Sequence, residues 1–229
     1  MVQAMTKHQA TPDRTRKPAV HQGIRATSAT RIVVATFGVL VSLAGIEHGV
    51  GEILQGSVRP QGLAIQSWAH SQAFQILGGE PAMTVIPNLL VTGVLAVIVA
   101  LAVGIWSVGF AHRRRGGLGL VLLSVLLLLV GGGFAPPLIG IIIGLGATRI
   151  GVVSHRRPGA LAAALGRVWA WILGAAVLGY LLLVPGTILL DRLLGVDSPG
   201  LVAGLTAFSF AGLIAALVGA RAQDRVRAG

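Results

Sequence analysis

The stretch LLLLVGGGFAPPLIG, residues 126–140, interrupts a run of 33 uncharged residues between Arg115 and Arg149. A single straight helix of that length would extend ~50 Å, whereas the hydrocarbon core of a bilayer is ~30 Å thick. Three glycines and two prolines in the segment 131–137 are strong helix breakers. The run is therefore either one broken, oblique span or a tight hairpin of two short helices.

The distribution of positive charge favours the hairpin. Lys and Arg collect on the cytosolic side of membrane proteins. With a hairpin, 16 of the 18 basic residues fall on one side, and Arg59 and Arg192 fall on the other. With a single span, the four arginines between residues 149 and 167 would move to the outer side. The sequence predicts an all-α, polytopic transmembrane helical bundle with six crossings, the third and fourth short, and both termini in the cytosol.

Composition supports this class. The chain has 229 residues, of which 54% are hydrophobic and 11% charged, with a mean hydropathy of +0.83. Soluble domains carry about 25% charged residues. The Ala-, Gly- and Arg-rich usage favours a multi-pass protein of a bacterial cytoplasmic (inner) membrane, with the lipid bilayer as its main partner. The absence of cysteine excludes thiolate metal sites and disulfides.

The predicted organisation has three parts. Residues 1–30 form a disordered basic cytosolic tail, residues 31–221 a transmembrane helical domain, and residues 222–229 a second cytosolic tail. An outer loop covers 55–81, and within it Ser67–Leu77 is a candidate surface helix. Pro81 is expected to open the second span, Ser198 to cap the last one, and Pro185 to kink the fifth. The predicted spans are 32–54, 82–110, 118–130, 138–147, 168–190 and 201–220.

The net charge of +11 does not indicate nucleic-acid binding. The basic residues flank the apolar spans as anchors, and they form no basic patch with interleaved aromatic residues. The sequence contains no P-loop and no dinucleotide-binding glycine fingerprint. We therefore expect neither a nucleic-acid partner nor a nucleotide cofactor.

Ionisable residues concentrate in GIEHGVGE, residues 45–52. With Arg31 at the inner boundary, Glu47 and His48 lie ~24–26 Å and Glu52 ~31 Å along the helix, near the outer edge of the hydrocarbon. His48 and Glu52 share one face because they are four residues apart. Beside them runs a stripe of small residues, which lets another helix approach closely: Gly38, Ser42, Gly45 and Gly49.

Other polar groups fall at the same outer level under this topology. Irregular backbone at membrane depth is tolerated where it is buried in protein or lines a wet cavity, so the glycine turn is expected to face the polar stripe. The sequence therefore predicts an outward-facing ligand or ion pocket. Its candidate residues are Glu47, His48, Glu52, Glu80, Asn88, Gly131, Gly132 and Gly133.

Several functions are compatible with this pocket. Ionisable groups inside membranes are functional candidates, so a small transporter-like or ligand-binding protein is the leading hypothesis. The polar residues alternatively fix helix register in a non-catalytic structural or accessory subunit, whose Gly-rich faces pack against a second copy or a partner membrane protein. The third hypothesis is a metal-dependent membrane enzyme with a divalent metal cofactor. Its candidate ligands are His48, Glu52, His70 and Glu80.

Overall fold

The computed structural model describes residues 28–152, 158–196 and 198–228. The predicted basic tail lies outside the described residues up to position 27, as do Arg156 and Arg157. The described ranges contain seven α-helices and a two-stranded ribbon. The elements are α1 (Ala29–Leu54), β1 (Ala64–Gln66), a 3₁₀ helix (Gln72–Leu77), β2 (Pro81–Met83), α2 (Leu89–Gly109), α3 (Gly116–Leu129), α4 (Ala135–Ala147), α5 (Ala160–Leu181), a π-helical turn (Leu182–Gly186), α6 (Thr187–Leu194) and α7 (Pro199–Ala228).

Four of these helical segments are long and apolar enough to cross a membrane: Ala29–Leu54, Leu89–Gly109, Ala160–Leu194 and Pro199–Arg227. A crossing needs about 20 apolar residues. The third segment continues from α5 through the π-helical turn into α6. By length and composition the chain is an all-helical membrane protein, as the sequence predicts.

α3 and α4 are the short elements of the bundle. They contain 14 and 13 residues, which corresponds to ~20 Å each. The chain reverses at residues 130–134, and α4 packs back along α3 with small residues between them. A Cβ added at Gly117 would lie 2.6 Å from the carbonyl oxygen of Gly144, so the two backbones are nearly in contact. The glycines and prolines of this stretch therefore end one helix and begin another.

The two ends of the helical bundle differ in the number of arginines they carry. At one end, Arg31 of α1 donates a hydrogen bond to the carbonyl of Val108 in α2, and Asp224 of α7 accepts from the backbone of Ala29 and Thr30. We call this the basic end, because all of the described arginines except Arg59 and Arg192 lie there: Arg31, Arg113, Arg114, Arg115, Arg149, Arg167, Arg221, Arg225 and Arg227. The loop of residues 55–88 lies at the opposite end, which we call the loop end.

The small-residue stripe of α1 packs against α2. A Cβ at Gly49 would lie 2.7 Å from the carbonyl oxygen of Gly93, and one at Gly45 would lie 2.9 Å from the Cβ of Ala100. Ser42 makes the same kind of contact with Gly104. The close approach that the sequence predicted is thus made within the chain, by the next helix along it.

Three predicted boundaries at the loop end are wrong. α2 begins at Leu89 and not at residue 82, because Asn88 caps it by accepting from the backbone N–H of Val91. Pro81 begins a strand that pairs antiparallel with β1. The candidate surface helix of residues 67–77 is helical only in its second half, as the 3₁₀ helix.

The remaining helix boundaries differ in length. α5 begins at Ala160 and α7 continues to Ala228, so each extends about two turns beyond its predicted span. The predicted cap of the last helix is confirmed, since Ser198 accepts a hydrogen bond from the backbone of Leu201. The expected interruption at Pro185 takes the form of the five-residue π-helical turn, which accommodates a residue without a backbone N–H.

The loop folds down onto the turn between α3 and α4. The backbone N–H of Val85 donates to the carbonyl of Leu129, and Thr84 forms a bridge with Val130. The hydroxyls of Thr84 and Thr92 are 3.0 Å apart, which ties the same segment to α2. The last carbonyls of a helix have no partner within the helix. At the end of α3 the loop supplies a backbone N–H donor in place of the one that a further helical turn would provide.

Candidate functional site

The last two turns of α1 supply three ionisable side chains to the loop end. The stretch keeps its helical hydrogen bonds through Leu54, so Glu47 points to a different side from His48 and Glu52. His48 is 2% exposed and Glu52 is fully buried. Ionisable groups this deeply buried require polar partners. Three other segments surround them, of which two supply such partners and leave only Glu52 Oε2 without one among the described residues.

The first of these segments is the glycine turn after α3. Gly131 and Gly133 have positive φ angles of 95° and 80°. A Cβ at Gly131 would overlap the carboxylate of Glu52, and a Cβ at Gly133 would overlap the imidazole of His48. Only glycine satisfies both the backbone conformation and the close approach. The structure thus places the turn directly against this polar stripe.

The second segment is the loop residue Ser67, which bridges two side chains of α1. Its hydroxyl donates to Glu52 Oε1 at 3.1 Å, and its oxygen lies 2.9 Å from His48 Nδ1. Ser67 is fully buried. It is held in place by the main chain, because its N–H donates to the carbonyl of Glu80, just before β2. Ser67 therefore fixes the orientation of the His48 ring.

Glu80 comes from the tight turn that leads into β2. Gly78, Gly79 and Glu80 all have positive φ, of 64°, 72° and 55°, and a non-glycine residue in that conformation is uncommon. Glu80 Oε2 lies 3.4 Å from His48 Nε2, while Oε1 is buried without a hydrogen-bond partner among the described residues. Burial raises the pKa of Glu80 to about 7, so its charged form is unfavourable unless a positive charge lies nearby.

Glu47 completes the cluster on the other side of His48. The indole N–H of Trp68 donates to its Oε1, and Trp68 is itself stacked on Phe74 with 4.5 Å between ring centroids. One ligating atom from each of Glu47, His48 and Glu80 lies within 4.8 Å of the others. We call these three residues the acidic cluster.

The acidic cluster forms part of the wall of a cavity of about 160 Å³. The cavity lies between α1, the loop, the start of α4, the π-helical turn after α5, and α7. Its lining residues are Ala44, Glu47, His48, Leu77, Glu80, Ala135, Pro136, Tyr180, Leu183, Val184, Val202 and Thr206. The wall is thus apolar except for the acidic cluster on α1 and the loop, Tyr180 on α5 and Thr206 on α7. An apolar lining with a few polar groups is typical of a small-ligand site.

Some predicted site residues lie elsewhere. Asn88 is engaged in capping α2 and donates to Ser57. Gly132 faces Leu127 of α3. His70 is exposed on the loop and is not a member of the acidic cluster. Glu52 lies behind Ser67, so its place among the candidate metal ligands is taken by Glu47.

Three residues of the site were missed by sequence reasoning. Ser67 and Trp68 begin the segment for which the sequence predicts a surface helix, and that pattern carries no signal for their inward orientation. Tyr180 is the single tyrosine of the chain, and its position in an otherwise apolar span was the available signal. These residues reach the site through the ribbon and through packing of α5 against the bundle.

We expect Ser67→Ala to destabilise the protein. The change leaves His48 Nδ1 and Glu52 Oε1 buried without their shared partner, and each such loss costs about 1–3 kcal/mol. Thermal unfolding of the purified protein in detergent measures the effect. Ser57→Ala is the control, because Ser57 also bonds a side chain but is exposed. Equal unfolding midpoints for the two variants would contradict the proposed role of the bridge.

Comparison of the chain with protein-family models, with curated proteins and with solved structures gave no match.

Proposed function

We propose that this chain is a bacterial inner-membrane protein with six crossings that binds a small cation in a pocket at its extracytoplasmic side. The topology is supported by the separation of the helix ends. The described arginines at the basic end suit the cytosolic face, and the loop end carries Arg59 and Arg192. α3 and α4 are each shorter than a full crossing. In this topology the loop packed over their turn fills the rest of the membrane thickness on that side.

Cysteine labelling tests the topology, since the native chain has no cysteine. We expect His70→Cys to react with a membrane-impermeant maleimide in intact cells, and His112→Cys and Gly151→Cys to react only after permeabilisation. All three positions are exposed. Gly151 follows α4 and reports whether the hairpin returns the chain to the cytosol. Reaction of Gly151→Cys in intact cells would show that α3 and α4 together cross only once.

One observation carries the functional part of the proposal: two carboxylates and an imidazole converge within 4.8 Å at the wall of an apolar cavity. Two carboxylates this close repel each other and are costly to desolvate. A cation in the cavity offsets both costs. A volume of about 160 Å³ admits a hydrated metal ion or a small organic ammonium.

The packing favours binding over passage through the membrane. Towards the basic end, α1 contributes fully buried apolar side chains, among them Val34, Phe37 and Val41. These fill the bundle between the cavity and the basic end. An enzyme of the serine-nucleophile type has less support, because the Ser67 hydroxyl is buried on the far side of His48 and donates to Glu52. A pocket for a bound ligand therefore fits this arrangement best.

Thermal unfolding in detergent tests the pocket. Na⁺, Mg²⁺, Mn²⁺, Zn²⁺ and tetramethylammonium are added in turn to the metal-stripped protein. A ligand at 100 times its Kd stabilises by about 2.7 kcal/mol, which raises the midpoint by about 5–10 °C. We expect at least one cation to do so for the native chain, and the shift to be lost in Glu47→Gln and Glu80→Gln.

Asp191→Asn is the matched control, because it removes a carboxylate from α6 outside the acidic cluster. It should keep the full cation shift. Without cation, Glu47→Gln and Glu80→Gln should unfold no earlier than the native chain, since each relieves a buried charge. The proposal fails if no cation shifts the midpoint, or if the shift is the same in all variants.

A second candidate function is that of an accessory subunit. Gly174 of α5 and Gly204 of α7 are exposed and have open space beside them among the described residues. Small residues on an outer face allow a helix of another chain to approach closely. Crosslinking in membranes between cysteines placed at 174 or at 204 would support this role. Such an interface is compatible with the pocket, which lies on the inner side of the same helices.

A further inference from the structure

We propose that the acidic cluster binds a divalent transition-metal ion through Glu47, His48 and Glu80, with Zn²⁺ as the ion that tests it. This inference rests on the proposed function above, that the cavity takes a cation, and it names the class of that cation.

The direction of the hydrogen bonds assigns the tautomer of His48. Ser67 has one hydroxyl proton and donates it to the Glu52 carboxylate. Its oxygen therefore acts as acceptor towards His48 Nδ1, which must carry the proton of that bond. A neutral imidazole with its proton on Nδ1 has a lone pair on Nε2.

The lone pair of His48 faces another acceptor. Nε2 is directed to Glu80 Oε2 at 3.4 Å, and the second oxygen of Glu80 is buried without a hydrogen-bond partner among the described residues. A lone pair and a carboxylate at this distance need a positive charge between them, either a proton or a metal ion. A metal ion between them forms one coordination bond with His48 Nε2 and one with Glu80 Oε2. It thereby uses the lone pair that the hydrogen bond to Ser67 leaves free on the imidazole.

The distances suit a tetrahedral metal. Ligand atoms at ~2.0–2.1 Å from a tetrahedral ion are separated by about 3.3 Å, close to the 3.4 Å between His48 and Glu80. Glu47 lies at most 4.8 Å from the other two, a gap that rotation about its flexible side-chain torsions closes. The fourth position faces the cavity, which leaves room for water or a ligand. One imidazole with two carboxylates suits Zn²⁺ or Mn²⁺.

The groups around the acidic cluster are of the kind that hydrogen-bond to metal ligands in metalloproteins and orient them. A metal-bound histidine almost always donates its other ring N–H to a carboxylate, a carbonyl or water; here it donates to Ser67, which passes the interaction to Glu52. Trp68 donates to one oxygen of Glu47 and leaves the other for coordination. Ser67 and Glu52 are therefore positioning residues, and they do not touch the metal.

Zn²⁺ binding to the full-length protein in detergent tests the inference, measured by competition with a chromophoric chelator. Co²⁺ is the second probe, because its visible spectrum reports tetrahedral coordination. His8 and His21 of the N-terminal segment are replaced by alanine in every variant to lower background binding. We expect one Zn²⁺ per chain, loss of binding in His48→Ala and Glu80→Gln, and unchanged affinity in His70→Ala.

Glu52→Gln separates positioning from a structural role. It should weaken Zn²⁺ binding by about 10–100-fold and change the Co²⁺ spectrum while the protein still purifies as a folded species. If Zn²⁺ binding is absent, or survives in His48→Ala and Glu80→Gln, the metal site is wrong. If another cation still stabilises the protein through Glu47 and Glu80, the cation pocket stands without the metal site. If no cation does, both proposals fail.

Discussion

Gly133→Ala is expected to lower the unfolding midpoint, because both the backbone conformation and the space beside this position require glycine. The backbone at Gly133 has φ +80°, which costs an alanine about 1–2 kcal/mol. The added Cβ would also overlap the imidazole of His48, and overpacking of this kind costs about 1–3 kcal/mol. Together they correspond to a fall of roughly 5–15 °C for a chain of this size, measured by thermal unfolding in detergent.

Gly56→Ala is the matched control for this prediction. Gly56 has nearly the same φ, +79°, but no described atom lies within 4 Å of its Cβ position. It therefore carries the backbone cost without the overlap. The difference between the two variants isolates the contact between the glycine turn and His48. Equal midpoints would mean that the turn does not lie against the imidazole.

Gly93→Leu is expected to prevent the assembly of α1 with α2. A Cβ at Gly93 would overlap the carbonyl oxygen of Gly49 and would lie 2.8 Å from the backbone nitrogen of Ile53. Both contacts are with backbone, which cannot rotate away as a side chain does. α1 and α2, which pack closely against each other, must then separate. We therefore expect loss of the monodisperse peak in size-exclusion chromatography and retention of little folded protein.

Gly109→Leu controls for the change in helix propensity and in hydrophobicity. Gly109 also belongs to α2, and no described atom lies within 4 Å of its Cβ position. This variant should elute and unfold like the native chain. If Gly93→Leu behaves in the same way, the close crossing of α1 and α2 at Gly49 is incorrect. Because Gly49 follows His48 directly, that result would also change the geometry of the acidic cluster.

The small-residue stripe is a feature whose close packing can be predicted from sequence periodicity. Gly38, Ser42, Gly45 and Gly49 recur at helical spacing, and that spacing alone predicts a close helix contact beside the polar residues. The structure adds that the contact is with α2 of the same chain. The spacing carried the information because a helix face is determined locally, by 3.6 residues per turn.

The contacts of the acidic cluster, in contrast, cannot be predicted from sequence periodicity. His48 and Glu52 share a face, and on that ground the sequence predicts both as candidate metal ligands. The structure inserts Ser67 between them and brings Glu47 to the cavity instead. Ser67, Trp68 and Glu80 reach α1 because β1 pairs with β2 and the segment after β2 pairs with the turn after α3. Pairings of this kind depend on residues distant in the chain, and a single sequence does not record them.

The sequence by itself determined the class of protein, and it predicts the spans and the level at which the polar residues lie. These follow from local quantities: apolar length against bilayer thickness, helix breakers, and the side on which arginine collects. Tertiary structure decided which polar atoms meet. It positioned Ser67 between His48 and Glu52, directed His48 Nε2 to Glu80, and left a cavity beside them. Those contacts come from packing between segments, where a displacement of about 1 Å decides whether a site forms.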